Sequence, residues 1–162
     1  MAIVEIINNP LNTEGALYNL CKYIIKPKKT ENGYYTGARG ISVAHAYEDI
    51  VEMQTLYQNT GGRRGYHITV SFSPEDPLSP HDVWNIAYLI TNLFFPEYQV
   101  LYGMHTDEDH LHIHLGINTV SMRTGKKLHI DYGMLYWMRK EIDHIVERYR
   151  MGEGIGDKSI YF

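Results

Sequence analysis

The chain has 162 residues, 44% of them hydrophobic and 21% charged, which suits one folded domain and excludes a disordered segment. A net charge of -4 argues against nucleic-acid binding by bulk electrostatics, and no apolar run approaches the length of a membrane span. The single cysteine, Cys21, rules out an internal disulfide or a multi-cysteine zinc site.

Residues 2–7 form a short β-branched run stopped by Asn8-Asn9-Pro10, and predict a strand. Thr13 is placed to cap a helix carrying Leu17, Leu20, Cys21 and Ile24 on one face, with Pro27 at its end. The Asn32-Gly33 pair and the glycines at 37 and 40 predict loop, with a short strand over 41–43. Residues 46–58 are helical in composition, and Gly61-Gly62 stops them. From 66 to 72 the chain alternates, with Tyr66, Ile68, Val70 and Phe72 on one side and His67, Thr69 and Ser71 on the other. Ser79, Pro80 and Asp82 make a strong helix start, and the helix continues to Pro96. Residues 98–105 and 110–118 predict two strands. Asp131 caps a last helix carrying Leu135, Met138, Ile142, Ile145 and Tyr149, closed by glycines at 152, 154 and 156. No repeat or linker divides the chain, so residues 1–162 are expected as one domain. The expected class is α+β, a mainly antiparallel sheet of about five strands with helices on one face and the chemistry on the other.

Two compositional features point to that chemistry. There are nine histidines and 14 tyrosines. Four of the histidines fall between 105 and 114, and period-2 geometry puts His110, His112 and His114 on one strand face. A two-residue turn at Glu108-Asp109 would set Asp107 opposite His110, His105 opposite His112, and Gly103 opposite His114, leaving open space at the glycine for the third imidazole. His105, His112 and His114 then make a three-nitrogen metal site with open coordination positions, as a catalytic ion needs. Asp107 or Asp109 would fix an imidazole tautomer. His110 is either a ligand or a base beside the metal. Two basic clusters, Lys22, Lys26, Lys28 and Lys29, and Arg123, Lys126 and Lys127, are either solvated surface or a local phosphate path.

These residues resemble the relaxases, the mobilisation nucleases of conjugative and mobilisable elements, within the His-hydrophobic-His endonucleases; here the tripeptide is His112-Ile113-His114. Leu20-Cys21-Lys22-Tyr23-Ile24 resembles the segment with the nucleophilic tyrosine. The strand from Tyr66 to Phe72 resembles the second motif, whose serine, here Ser71, contacts DNA. His105 through Asn118 resembles the metal-binding motif, and Thr124-Gly125-Lys126-Lys127-Leu128 before a helix also fits. The resemblance implies site-specific nicking and joining of single-stranded DNA at an origin of transfer, through a 5′-phosphotyrosine on Tyr23. His110 and Asp107 are expected as catalytic assistants. Lys22, Lys26, Lys28, Lys29, Ser71, Asn118, Lys126 and Lys127 are expected on the DNA. Imidazoles favour Mn, Zn, Co or Ni by intrinsic affinity, whereas the family implies Mg or Mn. Accessory DNA-binding and secretion-coupling proteins are the further implied partners, in the cytoplasm.

Rival readings hang on other residues. Tyr18 shares the Tyr23 helix, and Tyr34 and Tyr35 are placed to stack on bases. Single-strand transposases and rolling-circle replication initiators belong to the same superfamily. The transposases carry their tyrosine on a helix after the histidine pair, where Tyr132 and Tyr136 lie. His67-Ile68-Thr69-Val70 resembles half of a metal-free two-histidine phosphodiesterase. A non-catalytic DNA-binding relic of the fold is the last alternative.

Overall fold

In a computed structural model, which describes residues 2–152, nine elements follow one another: β1 (Ile3–Ile6), α1 (Glu14–Ile24), β2 (Thr36–Arg39), α2 (Ala46–Leu56), β3 (Gly65–Ser71), α3 (Pro80–Phe94), β4 (Tyr98–His105), β5 (His112–Ser121) and α4 (Tyr132–Arg150). The strands form one sheet in the order β1-β3-β5-β4-β2, and every neighbouring pair is antiparallel. The class is therefore α+β with five strands. The expected helix starts are present: Thr13 accepts from the Ala16 amide, Ser79 and Asp82 form a reciprocal capping box, and Asp131 accepts from the Met134 amide.

The apolar side of the β3, β4 and β5 alternation packs under α3 and α4. Ile68, Val70, Met104, Ile113 and Leu115 meet Val83, Ile86, Ile90, Met138 and Ile142 there, all at 0% exposure. The expectation that helices cover one face alone needs correction. Leu17, Leu20, Cys21 and Ile24 of α1, with Ala46 and Ile50 of α2, close over Leu101 and form a second core on that face. Glycine makes this possible. A Cβ at Gly103 would sit 2.3 Å from the Ile24 carbonyl oxygen, and one at Gly116 would sit 2.8 Å from the tip of the Ile24 side chain. The helix thus reaches the strand pair next to the end that carries His105, His112 and His114.

Two boundaries differ from the sequence reading. The second strand is 36–39, not 41–43, and it contains Gly37, because a Cβ there would fall 2.3 Å from the Tyr102 ring across the pair. The turn between β4 and β5 runs from 106 to 111 rather than through two residues, yet the register is as expected: His105 faces His112 and Gly103 faces His114. The closing glycines expected at 154 and 156 lie outside the described residues. None of the described helices is long and apolar enough to cross a membrane.

Candidate active site

Strand alternation puts His105 of β4, His112 and His114 of β5, and His67 and Thr69 of β3 on the face that α1 covers only in part. His105, His112 and His114 are 0%, 6% and 5% exposed, so this is a buried polar cluster rather than a solvated strip. Their ring centroids lie 4.1 Å (His105–His114), 4.9 Å (His112–His114) and 5.3 Å (His105–His112) apart.

Each ring is held at one nitrogen. His105 Nε2–H donates to the Ile24 carbonyl at 3.0 Å, which leaves His105 Nδ1 buried without a partner. His114 Nδ1 lies 2.8 Å from His67 Nε2, which leaves His114 Nε2 buried without a partner. His112 Nδ1 is 3.3 Å from the His110 carbonyl. One ligand atom from each of the three rings falls within 4.8 Å of the others. Burying two bare imidazole nitrogens is costly unless something else takes their lone pairs. A ring hydrogen-bonded at one nitrogen and open at the other is the arrangement of a metal-ligating histidine. The donor set therefore fits a divalent ion.

Burial also favours the neutral form of His105 and His114, the form a ligand needs, and of His67 beside them. Desolvation, with the neighbouring His105, brings His67 down to about 4. Desolvation, then the charges of His105 and His67, lowers His114 further still. His105 is lowered too, chiefly by desolvation and against the hydrogen bond to Ile24.

Tyr23, in the last turn of α1, lies against this cluster. Its ring stands edge-on to His114 at 5.1 Å, to His105 at 5.2 Å and to His67 at 6.2 Å, and it remains 38% exposed. An open groove of about 420 Å³ lined by Asn9, Asn19, Leu20, Tyr23 and His67 leads to it. The Lys29 ammonium sits 5.5 Å from the Tyr23 ring centroid and is paired with Asp107 at 2.6 Å. That hydrogen bond raises the Lys29 pKa and holds the Asp107 carboxyl low.

Several expected roles need correction. Asp107 takes Lys29 rather than an imidazole; the tautomers are set by the Ile24 and His110 carbonyls and by His67. His110 sits on the 106–111 turn with Glu108 at 3.6 Å and has no ring contact with Tyr23 among the described residues, but its ligand alternative stays open, because Glu108, His110 and His112 form a second group of ligand atoms within 4.8 Å of one another. Asn118 does not reach the surface. It is 0% exposed, accepts from Gln54 at 2.8 Å and donates to Gln99 at 2.8 Å. Lys127 is engaged by the backbone carbonyls of Gly61 and Arg63. Lys126 is exposed, but it lies past the Ser121 end of β5, and His114 to Ser121 spans roughly 24 Å at about 3.4 Å per strand residue. Gly103 houses the end of α1, not an imidazole.

Other expected residues lie on α1, the chain after it, β3 and α4. Lys22, Lys26 and Lys28 are exposed around the end of α1, Lys22 with its ammonium over the Tyr18 ring. Ser71 is half-buried opposite His112. Tyr18 stacks edge-on with Tyr47 instead of with a histidine. Tyr132 and Tyr136 belong to α4, across the sheet from the histidines. The residue that sequence reasoning missed as part of the site is His67. Its position on the polar face of β3 was legible, but the pairing of Thr69 with His114, which brings His67 diagonally to His114, was not.

Comparison with known proteins follows the same lines. The family described as relaxase, MobA/VirD2-like, nuclease domain, matches residues 18–151. Protein rlx of Staphylococcus aureus is 27% identical over 108 residues, 67% of this chain and 32% of that protein. The group II intron-interrupted relaxase LtrB of Lactococcus lactis subsp. cremoris is 28% identical over 142 residues, 72% of this chain and 25% of its own length. Protein MobA of Acidithiobacillus ferrooxidans is 34% identical over 68 residues, 41% of this chain and 17% of that protein. The chain thus spans at most about a third of the length of these relatives.

Proposed function

This chain belongs to the MobA/VirD2-like relaxase nucleases, and on that footing we propose that it nicks and rejoins single-stranded DNA through Tyr23 for mobilisation. The observation that carries the reading is the Tyr23 ring lying 5.1 Å and 5.2 Å from two imidazoles, each with a bare buried nitrogen. In the first step the Tyr23 phenol oxygen bonds to the phosphorus of one phosphodiester as the bond to the 3′ oxygen breaks. The phenol gives up its proton, the 3′ oxygen gains one, and a 5′-phosphotyrosine remains. One phosphodiester replaces another, so the step is close to balanced and a 3′ hydroxyl can reverse it.

His105, His112 and His114 would hold a divalent ion, which when bound supplies charge to polarise the non-bridging oxygens. Three neutral nitrogens suit Mn, Zn, Co or Ni by intrinsic affinity, and Mg or Mn by family likeness. An ordinary phenol titrates near 10, so its attack at neutral pH needs local positive charge or a base. Lys29, paired with Asp107 and 5.5 Å from the Tyr23 ring centroid, would supply positive charge as the phenol loses its proton. Lys22, Lys26 and Lys28 would guide the phosphates, and Ser71 would touch the strand near the metal. On this reading the substrate is single-stranded DNA at an origin of transfer, with accessory DNA-binding and secretion-coupling proteins as further partners.

The test is a denaturing gel after incubation with single-stranded DNA from the origin region of the host element and Mn or Mg. The native protein should carry a covalent DNA adduct that EDTA prevents. Tyr23→Phe should abolish the adduct and Tyr136→Phe should keep it. An adduct that survives in Tyr23→Phe refutes the assignment, and DNA retained only under native conditions favours a binding relic.

A further inference from the structure

Residues 26–35 link Lys29 to a second aromatic group that the nicking chemistry does not use. Tyr34 is 61% exposed, edge-on to Tyr35 at 4.9 Å and tilted by 37° against Trp84 at 5.7 Å. Trp84 belongs to the first turns of α3, and His81 lies 5.9 Å from it. A tyrosine left this exposed contributes little to the core. Its loop is nevertheless held firmly. Glu31, Asn32 and Gly33 take φ of 53°, 57° and 85° in succession, a left-handed run that non-glycine residues avoid. Thr30, fully buried, accepts from the Gly33 amide and donates to the Lys26 carbonyl, while Thr36 donates to the Gly33 carbonyl. Backbone strain held in place by hydrogen bonds on both sides marks a segment shaped to present something.

The direction of presentation follows from β4. The Thr106 amide donates to the Lys29 carbonyl and the Met104 amide to the Tyr35 carbonyl. The two anchor points are two residues apart, about 7 Å along an extended strand. Lys29 itself lies against Tyr23. Trp84 and Tyr35 pack on the α3 side of the sheet while Tyr23 lies on the α1 side, so the loop runs round the end of β4 from one face to the other, and a single strand whose phosphate rests at Tyr23 would pass Lys29 and round that same end to meet Tyr34. Exposed Lys26 and Lys28 lie on the same loop for its backbone. Lysines tracking phosphates and an exposed ring for a base are the two parts of a single-strand binding path.

We infer that Tyr34, backed by Trp84 and Tyr35, is a stacking site for one nucleobase of the single strand held at Tyr23. The inference rests on the DNA reading above and adds a base-dependent contact to it. The ring is preorganised, so little of the binding free energy goes into ordering it.

The test compares two probes carrying equal phosphate charge, a twelve-nucleotide oligothymidylate and a twelve-unit abasic deoxyribose-phosphate strand, by fluorescence anisotropy at low salt. The native protein should bind the thymidylate more tightly. Tyr34→Ala should weaken thymidylate binding by about 5- to 150-fold, the worth of one stacked base, and leave abasic binding unchanged. Tyr34→Phe should restore it. In a Trp137→Phe background, which leaves Trp84 as the sole tryptophan, thymidylate but not the abasic strand should quench emission. Native-like thymidylate binding by Tyr34→Ala, or an equal loss for both probes, overturns the proposal. A native protein that binds neither probe also overturns the proposal, whereas the DNA-nicking reading stands or falls with adduct formation on origin-region DNA. A failed Tyr23 adduct with intact base-dependent binding sinks only the chemistry.

Discussion

Gly103 lies opposite His114 at the point where α1 ends on the sheet. Replacing it by alanine would put a methyl carbon 2.3 Å from the Ile24 carbonyl oxygen, and the obstacle is backbone. Ordinary contact needs about 1 Å more, so the last turn of α1 must lift by about that amount. Three things move together: the carbonyl that fixes the His105 tautomer, Tyr23 next to it, and the lid of the second core. Overpacking of this kind costs about 1–3 kcal/mol. In a chain of this size that lowers the melting temperature by roughly 2–12 °C, at about 2–4 °C per kcal/mol. Gly116→Ala is the control. Its Cβ would crowd the tip of the Ile24 side chain, at 2.8 Å, and touch Leu20 at an ordinary 3.5 Å, and a side chain can turn aside. Thermal melting and adduct formation on both variants check the argument. Gly103→Ala should lose most of its adduct even below its melting point, and Gly116→Ala should keep most of it. Equal effects at the two positions, or a greater effect at Gly116, would refute the claim that backbone approach at Gly103 sets Tyr23.

His67→Gln removes the ring that holds His114 Nδ1 and should weaken metal affinity about 10- to 100-fold in calorimetric titration with Mn, the usual effect of losing such a partner. Unchanged affinity would remove His67 from the site. Without metal, the protein should lose stability in acid. His67 and His114 titrate lower in the fold than the ordinary histidine value of 6.5, so the unfolded chain binds more protons below it. Their contribution is complete above about pH 6.5, and is lost as pH falls through about 4 for His67 and lower for His114. Melting temperature followed from pH 8 to 4 should fall below 6.5, and saturating Mn should deepen the pH dependence because protons then compete with the ion. Asn118→Ala strands Gln54 and Gln99 in the core; it should cost about 1–3 kcal/mol in urea unfolding and leave affinity for single-stranded DNA unchanged. A selective loss of DNA affinity would restore Asn118 to the interface.

What the sequence disclosed of this site is the part governed by local periodicity. The alternation from 110 to 117 and the spacing of 105 from 112 were enough to pair the two histidine strands, even though the turn between them is longer than expected. What it hid depends on elements that arrive from elsewhere in the chain. Asn118 resembles a surface motif residue until Gln54 of α2 and Gln99 of β4 bury it. Lys127 resembles a phosphate contact until the carbonyls of Gly61 and Arg63 engage it. His67 resembles an isolated polar residue until β3 pairs with β5. The expectation that helices cover one face alone failed for a related reason: it equated polar with exposed. Histidines at 0% to 6% exposure show that this face is polar and covered at once.

The covering helix explains how both can hold. α1 needs an apolar floor, which Leu101 and the two glycines provide, and its C-terminal carbonyls need donors, as every helix end does. At Ile24 that donor is His105 Nε2–H. The bond that ends the helix therefore turns His105 Nδ1 toward the cluster, and the residue before the carbonyl is Tyr23. Helix termination, ligand orientation and placement of the phenol are one structural event at one peptide group. A close-packed glycine beneath that group is what keeps the three in register, and a side chain there would separate them.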